Sequence, residues 1–286
     1  MNYRHAFHAG NHADVLKHVV LLALCDALAS KPSAVFALDT HAGRGLYNLE
    51  GSAAQRTGEA DGGIGRLPSD PSGLPLPVRR YLNAVDACRA AHGPASYPGS
   101  PWLLAHALRE QDRIACCELL GDEVNRLRDN FSGEPRVAVH ERDGYGAIAG
   151  LLPPRAGGER FTRGLVLIDP PYEKQQDEYD VAIPAVREGL ERWAQGMYAL
   201  WYPVKTRRAL HPVFRRAATL PAKSILAVEL LVRPDDSPLR MNGSGMLLFN
   251  PPWRFDDAMR SALPALAAHV GEAGGGWRVQ WLKAPE

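Results

Sequence analysis

Short apolar runs and longer amphipathic segments alternate along most of the chain. Seven of the apolar runs have the length and composition of buried strands, and segments with helical periodicity separate most of them. Such alternation is typical of an α/β fold with a doubly wound, mostly parallel sheet, so we predict this fold class. The seven predicted strands cover residues 34–39, 113–118, 136–140, 164–168, 197–202, 224–232 and 245–249, and an additional edge strand is expected at 277–282.

The first third of the chain contains one long helix and one irregular segment. A helix is predicted over residues 11–29, with Asn11 as its N-cap. Between residues 46 and 98, glycine and proline become frequent around an amphipathic stretch at 78–91, which indicates a small inserted helical subdomain. The expected organisation is a Rossmann-like domain formed by 1–45 and 99–286, with 1–31 as an N-terminal arm and helix and 46–98 as the insertion.

Two predictions concern the boundaries and direction of later elements. The first crossover helix is expected to begin at Ser100 and Pro101, with Ser100 as its N-cap. The turn-rich segment 234–243 predicts a hairpin, so the seventh strand should run antiparallel to its neighbours. The Asn-Pro-Pro-Trp sequence at 250–253 would then lie at the edge of the sheet opposite the ligand-binding edge. We therefore predict that Asn250 belongs to a structural turn.

Composition excludes several classes of protein. The chain has 286 residues, 45% of them hydrophobic, which is enough to bury a full core. The formal net charge of +1 gives no strong global field, so contact with a polyanion would depend on local patches. The four cysteines have no disulfide-framework spacing, and the longest N-terminal apolar stretch, 19–25, is too short to cross a bilayer. We expect a cytoplasmic enzyme that has no membrane partner.

The sequence Asp169-Pro170-Pro171-Tyr172 directly follows the apolar run 164–168. An exocyclic amine of a nucleobase has a delocalised lone pair, so a catalyst of its methylation must accept hydrogen bonds from the NH2 group. The Asp169 carboxylate and the Pro170 carbonyl, in a backbone stiffened by proline, suit this task, and Tyr172 offers a stacking surface for a flipped base. The same four residues are also typical of a turn that ends a strand, and that alternative stays open.

A glycine-bearing loop follows the first predicted strand. Asp39 ends this strand, and Gly43 and Gly45 leave no Cβ between the backbone and a nucleoside-sized ligand. The spacing differs from the dinucleotide fingerprint and no Walker lysine follows, whereas a D-x-x-x-G-x-G loop suits S-adenosylmethionine. An ordinary glycine turn is the alternative.

Polar residues follow two more predicted strands. Glu118 ends the second strand, where an acidic side chain can accept hydrogen bonds from a ribose diol. Asp143 and Gly144 follow the third, where a carboxylate can meet the amino group of adenine. Ser100 begins a helix whose N-terminus suits a carboxylate such as that of methionine. Each acid has an alternative role as the cap of the next helix.

The N-terminal residues and one later segment are candidates for contact with nucleic acid. Tyr3 and His5 can stack on bases and Lys17 can neutralise a phosphate, although a solvated polar arm is the alternative. No cysteine joins the N-terminal histidines and only Asp14 is a nearby carboxylate, so we expect no metal. A basic cluster after the fifth strand is consistent with an RNA footprint or with ordinary solvated surface. Its members are Lys205, Arg207, Arg208, His211, Arg215 and Arg216.

Six segments together resemble one protein family. They are residues 3–18, 38–43, 97–101, 168–173, 199–203 and 250–253. These segments are similar to those of the RlmJ family of bacterial 23S ribosomal RNA adenine-N6 methyltransferases. The similarity spans nearly the whole chain, and the N-terminal block is its longest and most specific part. Arg44 departs from the family pattern, because a small residue is usual at that place in the glycine loop.

The resemblance implies a monomeric enzyme that uses S-adenosylmethionine to methylate N6 of A2030 in 23S ribosomal RNA. It implies a class I Rossmann-like fold with a small inserted helical subdomain, and Asp169 as the catalytic acceptor. It also implies that Tyr3 and His5 meet cofactor and substrate, with Lys17 beside them. The implied cofactor contacts are His18, His41, Ser100, Glu118, Asp143, Gly144 and Asp169.

Two other functions share part of this evidence. A DNA adenine-N6 methyltransferase uses the same Asp-Pro-Pro-Tyr chemistry, and a non-catalytic RNA-binding protein can retain the same fold. A comparison of methylation on protein-free ribosomal RNA and on duplex DNA distinguishes the DNA methyltransferase. Binding of S-adenosylmethionine distinguishes a methyltransferase from the non-catalytic RNA-binding protein.

Overall fold

A single eight-stranded sheet organises the protein. The computed structural model describes residues 5–156, 158–172, 175–238 and 241–285. The order of the strands across the sheet is β8-β6-β7-β5-β4-β1-β2-β3. These strands are β1 Phe36–Asp39, β2 Arg113–Glu118, β3 Val137–Glu141, β4 Gly164–Ile168, β5 Met197–Val204, β6 Ile225–Leu231, β7 Gly243–Phe249 and β8 Gly276–Lys283.

Strand direction places the ends of five strands at one edge of the sheet. β1 pairs in parallel with β2 and β4, and the parallel arrangement continues to β3 on one side and β5 on the other. Because β1 is the point where the strand order reverses, a crevice is expected beyond its carboxyl end. β7 is antiparallel to β5 and β6, which confirms the predicted direction, and the predicted edge strand joins the same sheet as β8. The sheet therefore has eight strands, where seven core strands were predicted.

Helices cover both faces of the sheet and divide the core into two layers. One layer contains residues of α1, α3, α4 and α9, and the other contains residues of α6, α7 and α8. No helix in the described ranges combines the length and apolarity needed to cross a membrane. The helices are α1 His12–Ala29, α2 Ser52–Thr57, α3 Leu76–His92, α4 Ser100–Ala107, α5 Gly121–Asn130, α6 Gly144–Leu151, α7 Gln175–Arg192, α8 Arg207–Ala218 and α9 Phe255–Val270.

The segment between residues 46 and 98 is largely helical and its two ends pair. Leu46–Asn48 forms a short antiparallel ribbon with Ser96–Pro98, and α2 and α3 lie between them. Tyr81 and Val85 of α3 are fully buried in the same core layer as Leu21 of α1. The insertion is therefore packed on the first helix of the chain rather than held by its ends alone.

Helix capping agrees with the sequence at one position and differs at another. Asn11 caps α1 as predicted, because its Oδ1 accepts hydrogen bonds from the backbone N–H groups of Ala13 and Asp14 at 2.9 and 3.0 Å. Ser100 was predicted as the N-cap of α4, but the cap is Gly99 and Ser100 is already helical. The reason is a close approach: the Gly99 N–H donates to the Gly45 carbonyl at 2.9 Å. A Cβ at position 99 would lie only 3.1 Å from that oxygen.

The Asn-Pro-Pro-Trp segment is a structural turn, as predicted. Asn250 has a φ of 55°, in the left-handed region that asparagine tolerates better than most residues. Its Nδ2 donates to the carbonyls of Ala194 and Gly196 at 3.1 and 3.0 Å, and its Oδ1 accepts from the Lys223 N–H at 2.8 Å. These bonds tie the end of β7 to the loop before β5, at the edge opposite the carboxyl ends of the parallel strands.

Candidate active site

The loops that follow β1, β2, β3 and β4 meet at the carboxyl edge of the sheet and enclose a cavity. We call it the first cavity; eight of the predicted site residues line it, joined by Thr40, Tyr47, Arg142, Tyr145 and Glu178 among others. The pattern of acids at strand ends predicted this convergence because parallel strands present their ends at one edge. The eight are His5, Lys17, His41, Ser100, Glu118, Asp143, Gly144 and Asp169.

The loop after β1 requires glycine for two reasons, the backbone conformation of the turn and the close approach of neighbouring side chains. Gly43 and Gly45 have φ values of 59° and 77°, a region that favours glycine. A Cβ at Gly43 would lie 2.3 Å from the Tyr47 hydroxyl oxygen, and one at Gly45 would lie 2.7 Å from the Phe131 ring. The missing Cβ atoms thus make room for two aromatic groups of the protein, where room for a ligand was predicted.

The Glu118 carboxylate fixes two of the loops around the first cavity. Its Oε2 accepts a hydrogen bond from the Gly43 N–H at 2.9 Å. Its Oε1 accepts from the N–H groups of Leu119 and Leu120 at 2.7 and 2.8 Å. The acid predicted to meet a ribose therefore also holds the glycine loop in place.

Asp143 and Gly144 join the β3 loop to the β1 loop. Asp143 is the N-cap of α6, with its Oδ2 accepting from the Gly146 N–H at 2.6 Å. Asp143 therefore caps a helix, which was the alternative role considered for it, and also lines the first cavity. A Cβ at Gly144 would lie 2.0 Å from the carbonyl oxygen of Thr40, so only glycine allows this close approach.

Two ionisable groups beside the first cavity have strongly shifted pKa values. Asp39 is fully buried, and this burial raises its pKa to about 7, although a hydrogen bond from the Ser100 hydroxyl acts in the opposite direction. Desolvation lowers the pKa of His41 to about 4, so its imidazole is neutral at physiological pH. His41 Nδ1 lies 2.8 Å from the Thr40 hydroxyl, and its ring meets Tyr145 edge-on at 5.2 Å.

A chain of charged side chains connects the N-terminal residues to the loop after β4. Lys17 Nζ lies 2.5 Å from Asp169 Oδ2 and 2.8 Å from Asp14 Oδ1. The other oxygen of Asp14 accepts from His5 Nε2 at 3.0 Å and from the Gly10 N–H at 2.9 Å. Side-chain exposures of 5% for Lys17 and 2% for Asp14 place this pair in the interior.

The two carboxylates keep the buried Lys17 ammonium charged. Burial alone lowers the pKa of Lys17, but Asp14 and Asp169 outweigh it and hold the pKa well above its usual range. Burial alone raises the pKa of Asp14, but His5 and Lys17 outweigh it and hold the pKa well below its usual range. The result is an alternating sequence of charges that ends on Asp169.

The Asp-Pro-Pro-Tyr loop separates the first cavity from a second one of about 540 Å3. Pro170 and Tyr172 line only the second cavity, whereas Asp169 and Lys17 line both. The Tyr172 hydroxyl donates to the Trp201 carbonyl at 2.8 Å, and the two rings meet edge-on with centroids 5.5 Å apart. These contacts hold the Tyr172 ring in one orientation. The second cavity has a volume typical of small-ligand sites.

One predicted residue within the described ranges, His18, lines neither cavity. His18 is completely buried, with Nδ1 3.0 Å from the Tyr97 hydroxyl, which lies 2.9 Å from the Tyr81 hydroxyl. Burial lowers the pKa of His18 to about 3, and its Nε2 has no hydrogen-bond partner in the described part of the chain. Tyr3 lies outside the described residues. No group of histidine, cysteine and acidic side chains in the described ranges is arranged to hold a metal ion.

The site contains residues that were not predicted from the sequence as site residues. Asp14 was noted only as a nearby carboxylate, yet Asp14, Lys17 and His18 share one helical face by their spacing, which was the available signal. Glu178 accepts a hydrogen bond from the Tyr145 hydroxyl at 2.5 Å beside the first cavity, and nothing local in the sequence indicated this contact. Arg44, the departure from the family pattern, has Nε 2.7 Å from Glu123 Oε2 and so ties the glycine loop to α5.

Comparisons with known proteins identify related sequences over nearly the whole chain. The family model described as "Ribosomal RNA large subunit methyltransferase D, RlmJ" matches residues 32–283. The protein named "Ribosomal RNA large subunit methyltransferase J" from Haemophilus influenzae is 42% identical over 284 residues, covering 99% of each chain. The protein of the same name from Escherichia coli strain K12 is 39% identical over 283 residues, again covering 99% of each chain.

A solved structure shows the same fold. The crystal structure of protein LPL1258 from Legionella pneumophila is 31% identical and superposes with a TM-score of 0.85. The similarity covers 96% of this chain and 98% of that one.

Proposed function

This chain belongs to the RlmJ family of ribosomal RNA large subunit methyltransferases, and on that premise we propose that it uses S-adenosylmethionine to methylate N6 of one adenosine, A2030, in 23S ribosomal RNA. The observation that carries the proposal is the position of Asp169. Its carboxylate lies in the wall between two cavities, so one face of the loop can serve the methyl donor and the other the target base.

The residues of the first cavity fit S-adenosylmethionine. Asp39 Oδ2, which is buried beside the first cavity, has no hydrogen-bond partner in the described chain, as expected where a polar ligand completes the hydrogen bonding. Carboxylates for ribose hydroxyls and for an adenine amine are present, together with the N-terminus of α4. When bound, the cofactor supplies a methyl group on a positively charged sulfur. The residues of the first cavity that would hold it are His41, Ser100, Glu118, Asp143, Gly144 and Asp169.

The second cavity fits a flipped adenine. Tyr172 is fixed by Trp201 and presents an aromatic face, against which a base released from its helix can stack. The Asp169 carboxylate and the Pro170 carbonyl accept hydrogen bonds from the exocyclic amine and favour the geometry in which its nitrogen is nucleophilic. From the resemblance to the family, we also assign Tyr3, His5 and Lys17 to the substrate side.

Lys17 has a specific part in this arrangement. By contacting Oδ2 of Asp169, it orients the carboxylate so that Oδ1 can serve the amine. Most of the rate then comes from positioning, because the methyl donor is intrinsically reactive. We further propose that the enzyme acts as a cytoplasmic monomer without a metal ion.

Mass mapping of N6-methyladenosine in 23S ribosomal RNA tests the proposal. RNA from cells that lack the protein should lose the modification at one adenosine, and the purified enzyme should restore it on protein-free RNA. Methylation of duplex DNA in preference to ribosomal RNA would favour a DNA adenine methyltransferase instead. Failure to bind S-adenosylmethionine by calorimetry would favour a non-catalytic RNA-binding protein.

A further inference from the structure

The outward face of α8 carries positive charge next to the second cavity. We propose that Lys205, Arg208 and Arg215, which we call the α8 basic face, bind phosphates of the RNA strand that flanks the flipped nucleotide. This inference rests on the proposed function and assigns its RNA contact to specific residues. The partner chemistry is that of a polyanionic, single-stranded backbone.

The position of α8 connects this face to the site. β5 ends at Val204 on the carboxyl edge of the sheet, and Lys205 follows it as an exposed residue that lines the second cavity together with Asp169 and Tyr172. α8 then runs away from that edge. Arg208 and Arg215 are seven residues apart on one helical face, so about 10 Å of helix separates them along the axis. A strand that leaves the cavity would pass over both.

Ion pairs with residues of other elements distinguish paired from unpaired cations on α8. Arg207 Nε lies 3.1 Å from Glu229 Oε2, whose side chain is 1% exposed, and Arg216 pairs with Asp180 at 2.5 Å. In the part of the chain that the structure describes, no carboxylate is within ion-pair distance of Lys205, Arg208 or Arg215. Among the described residues, these three exposed charges therefore have no ion-pair partner.

The face of α8 opposite these cations packs into the core. Leu210, Val213 and Ala217 are buried in the core layer and fix the rotation of α8. Pro212 lies within the helix and is exposed, and α8 continues through it. Because the whole chain has a net charge of only +1, an attraction for RNA near the active site requires a local patch of this kind.

Salt dependence of RNA binding tests the proposal directly. Replacing Lys205, Arg208 and Arg215 together with alanine removes three phosphate contacts, so the slope of log Kd against log salt should fall by about 2. Binding of a protein-free 23S ribosomal RNA fragment, measured without cofactor between roughly 50 and 200 mM salt, should weaken by about tenfold or more at the low-salt end. In the double variant Arg208→Ala, Arg215→Ala, which keeps Lys205 in the second cavity, the KM for RNA should rise while kcat at saturating RNA stays near the wild-type value.

A second triple variant provides the matched control. Lys223→Ala, Arg254→Ala and Arg260→Ala remove the same charge from exposed positions, two of which flank the turn after β7 at the opposite edge of the sheet. This variant should keep the wild-type slope. If both triple variants have the same slope, or if the α8 variant loses affinity with an unchanged slope, the inference is overturned. Wild-type protein that binds no RNA would instead contradict the proposed function itself.

Discussion

The Lys17 ammonium lies 2.5 Å from Oδ2 of Asp169 and so links the first helix of the chain to the loop after β4. The two residues are 152 positions apart in sequence. Asp14 holds the same ammonium from its other side at 2.8 Å, which leaves Lys17 between two carboxylates. The orientation of the Asp169 carboxylate therefore depends on two residues of α1, Asp14 and Lys17.

Replacing Asp14 with asparagine should make the activity sensitive to alkaline pH. Burial lowers the pKa of Lys17, and the variant retains only Asp169 as a strong opposing carboxylate. The alkaline limb of the kcat profile should move to lower pH, since Lys17 then loses its proton more easily. His5, His18 and Asp39 also face this cluster and remain unchanged. The pH profile of kcat measures the shift.

Asp26→Asn is the matched control for Asp14→Asn. Asp26 is also on α1, but it is half-exposed and pairs with Arg80 at 2.8 Å, away from the active site. Its profile should match that of the wild type. Coincident alkaline limbs for wild type and Asp14→Asn would show that Asp14 does not control the charge of Lys17.

The buried Asp39 should make the folded protein less stable as pH rises from about 4 to about 7. Its pKa is about 7 in the folded protein, whereas an aspartate in an unfolded chain titrates near 4. The folded state thus binds more protons in this window, and stability falls by up to about 1.4 kcal/mol per pH unit as pH increases. Asp39→Asn removes this dependence. In denaturant unfolding, the free energy of unfolding of the variant should therefore increase relative to that of the wild type as pH rises from about 4 to about 7. Parallel curves for the two proteins would contradict the assignment.

Gly144→Ala should damage the first cavity. The added Cβ would meet the Thr40 carbonyl oxygen at 2.0 Å, so the loops after β1 and β3 must separate. Strain of this kind costs about 1–3 kcal/mol, and the affinity for S-adenosylmethionine in calorimetry should fall with it. Gly73→Ala, where a Cβ meets nothing within 4 Å, is the control and should leave stability and affinity unchanged. Equal affinities for the two variants would refute a role for this close approach.

Two substitutions at Tyr172 separate its ring from its hydroxyl. Tyr172→Phe loses the hydrogen bond to the Trp201 carbonyl but keeps the aromatic face, so kcat/KM for RNA should fall by about tenfold at most. Tyr172→Ala removes the stacking surface, worth about 1–3 kcal/mol per base, and should cost more. Steady-state methylation of 23S ribosomal RNA by both variants tests this order. An alanine variant as active as the phenylalanine variant would exclude stacking on this ring.

Local sequence patterns predicted the elements that carry the site. The bounds of β2 and β4 agree with the predicted strands, and Glu118 and Asp169 lie at their ends because short apolar runs define both strands. The direction of β7 followed from its turn-rich hairpin, which removed Asn250 from consideration. These features depend on neighbours in sequence.

Features that depend on distant residues could not be predicted. The contact between Lys17 and Asp169 needs the packing of α1 against the sheet, and no local pattern contains it. The N-cap of α4 shifts to Gly99 because of the Gly45 carbonyl, which is more than fifty residues away in sequence. The α8 basic face was also ambiguous in sequence, because paired and unpaired cations become distinct only when Glu229 and Asp180 are in place.

Single-turnover methyl transfer by Asp169→Asn tests the central claim most directly. Asparagine keeps the shape of the side chain but removes the carboxylate charge, which accepts hydrogen bonds from the amine and pairs with Lys17. With saturating S-adenosylmethionine and protein-free 23S ribosomal RNA, we expect N6-methyladenosine formation to slow by at least about a hundredfold, while calorimetry shows cofactor affinity within about tenfold of the wild type. A variant that methylates N6 at the wild-type rate would contradict the account.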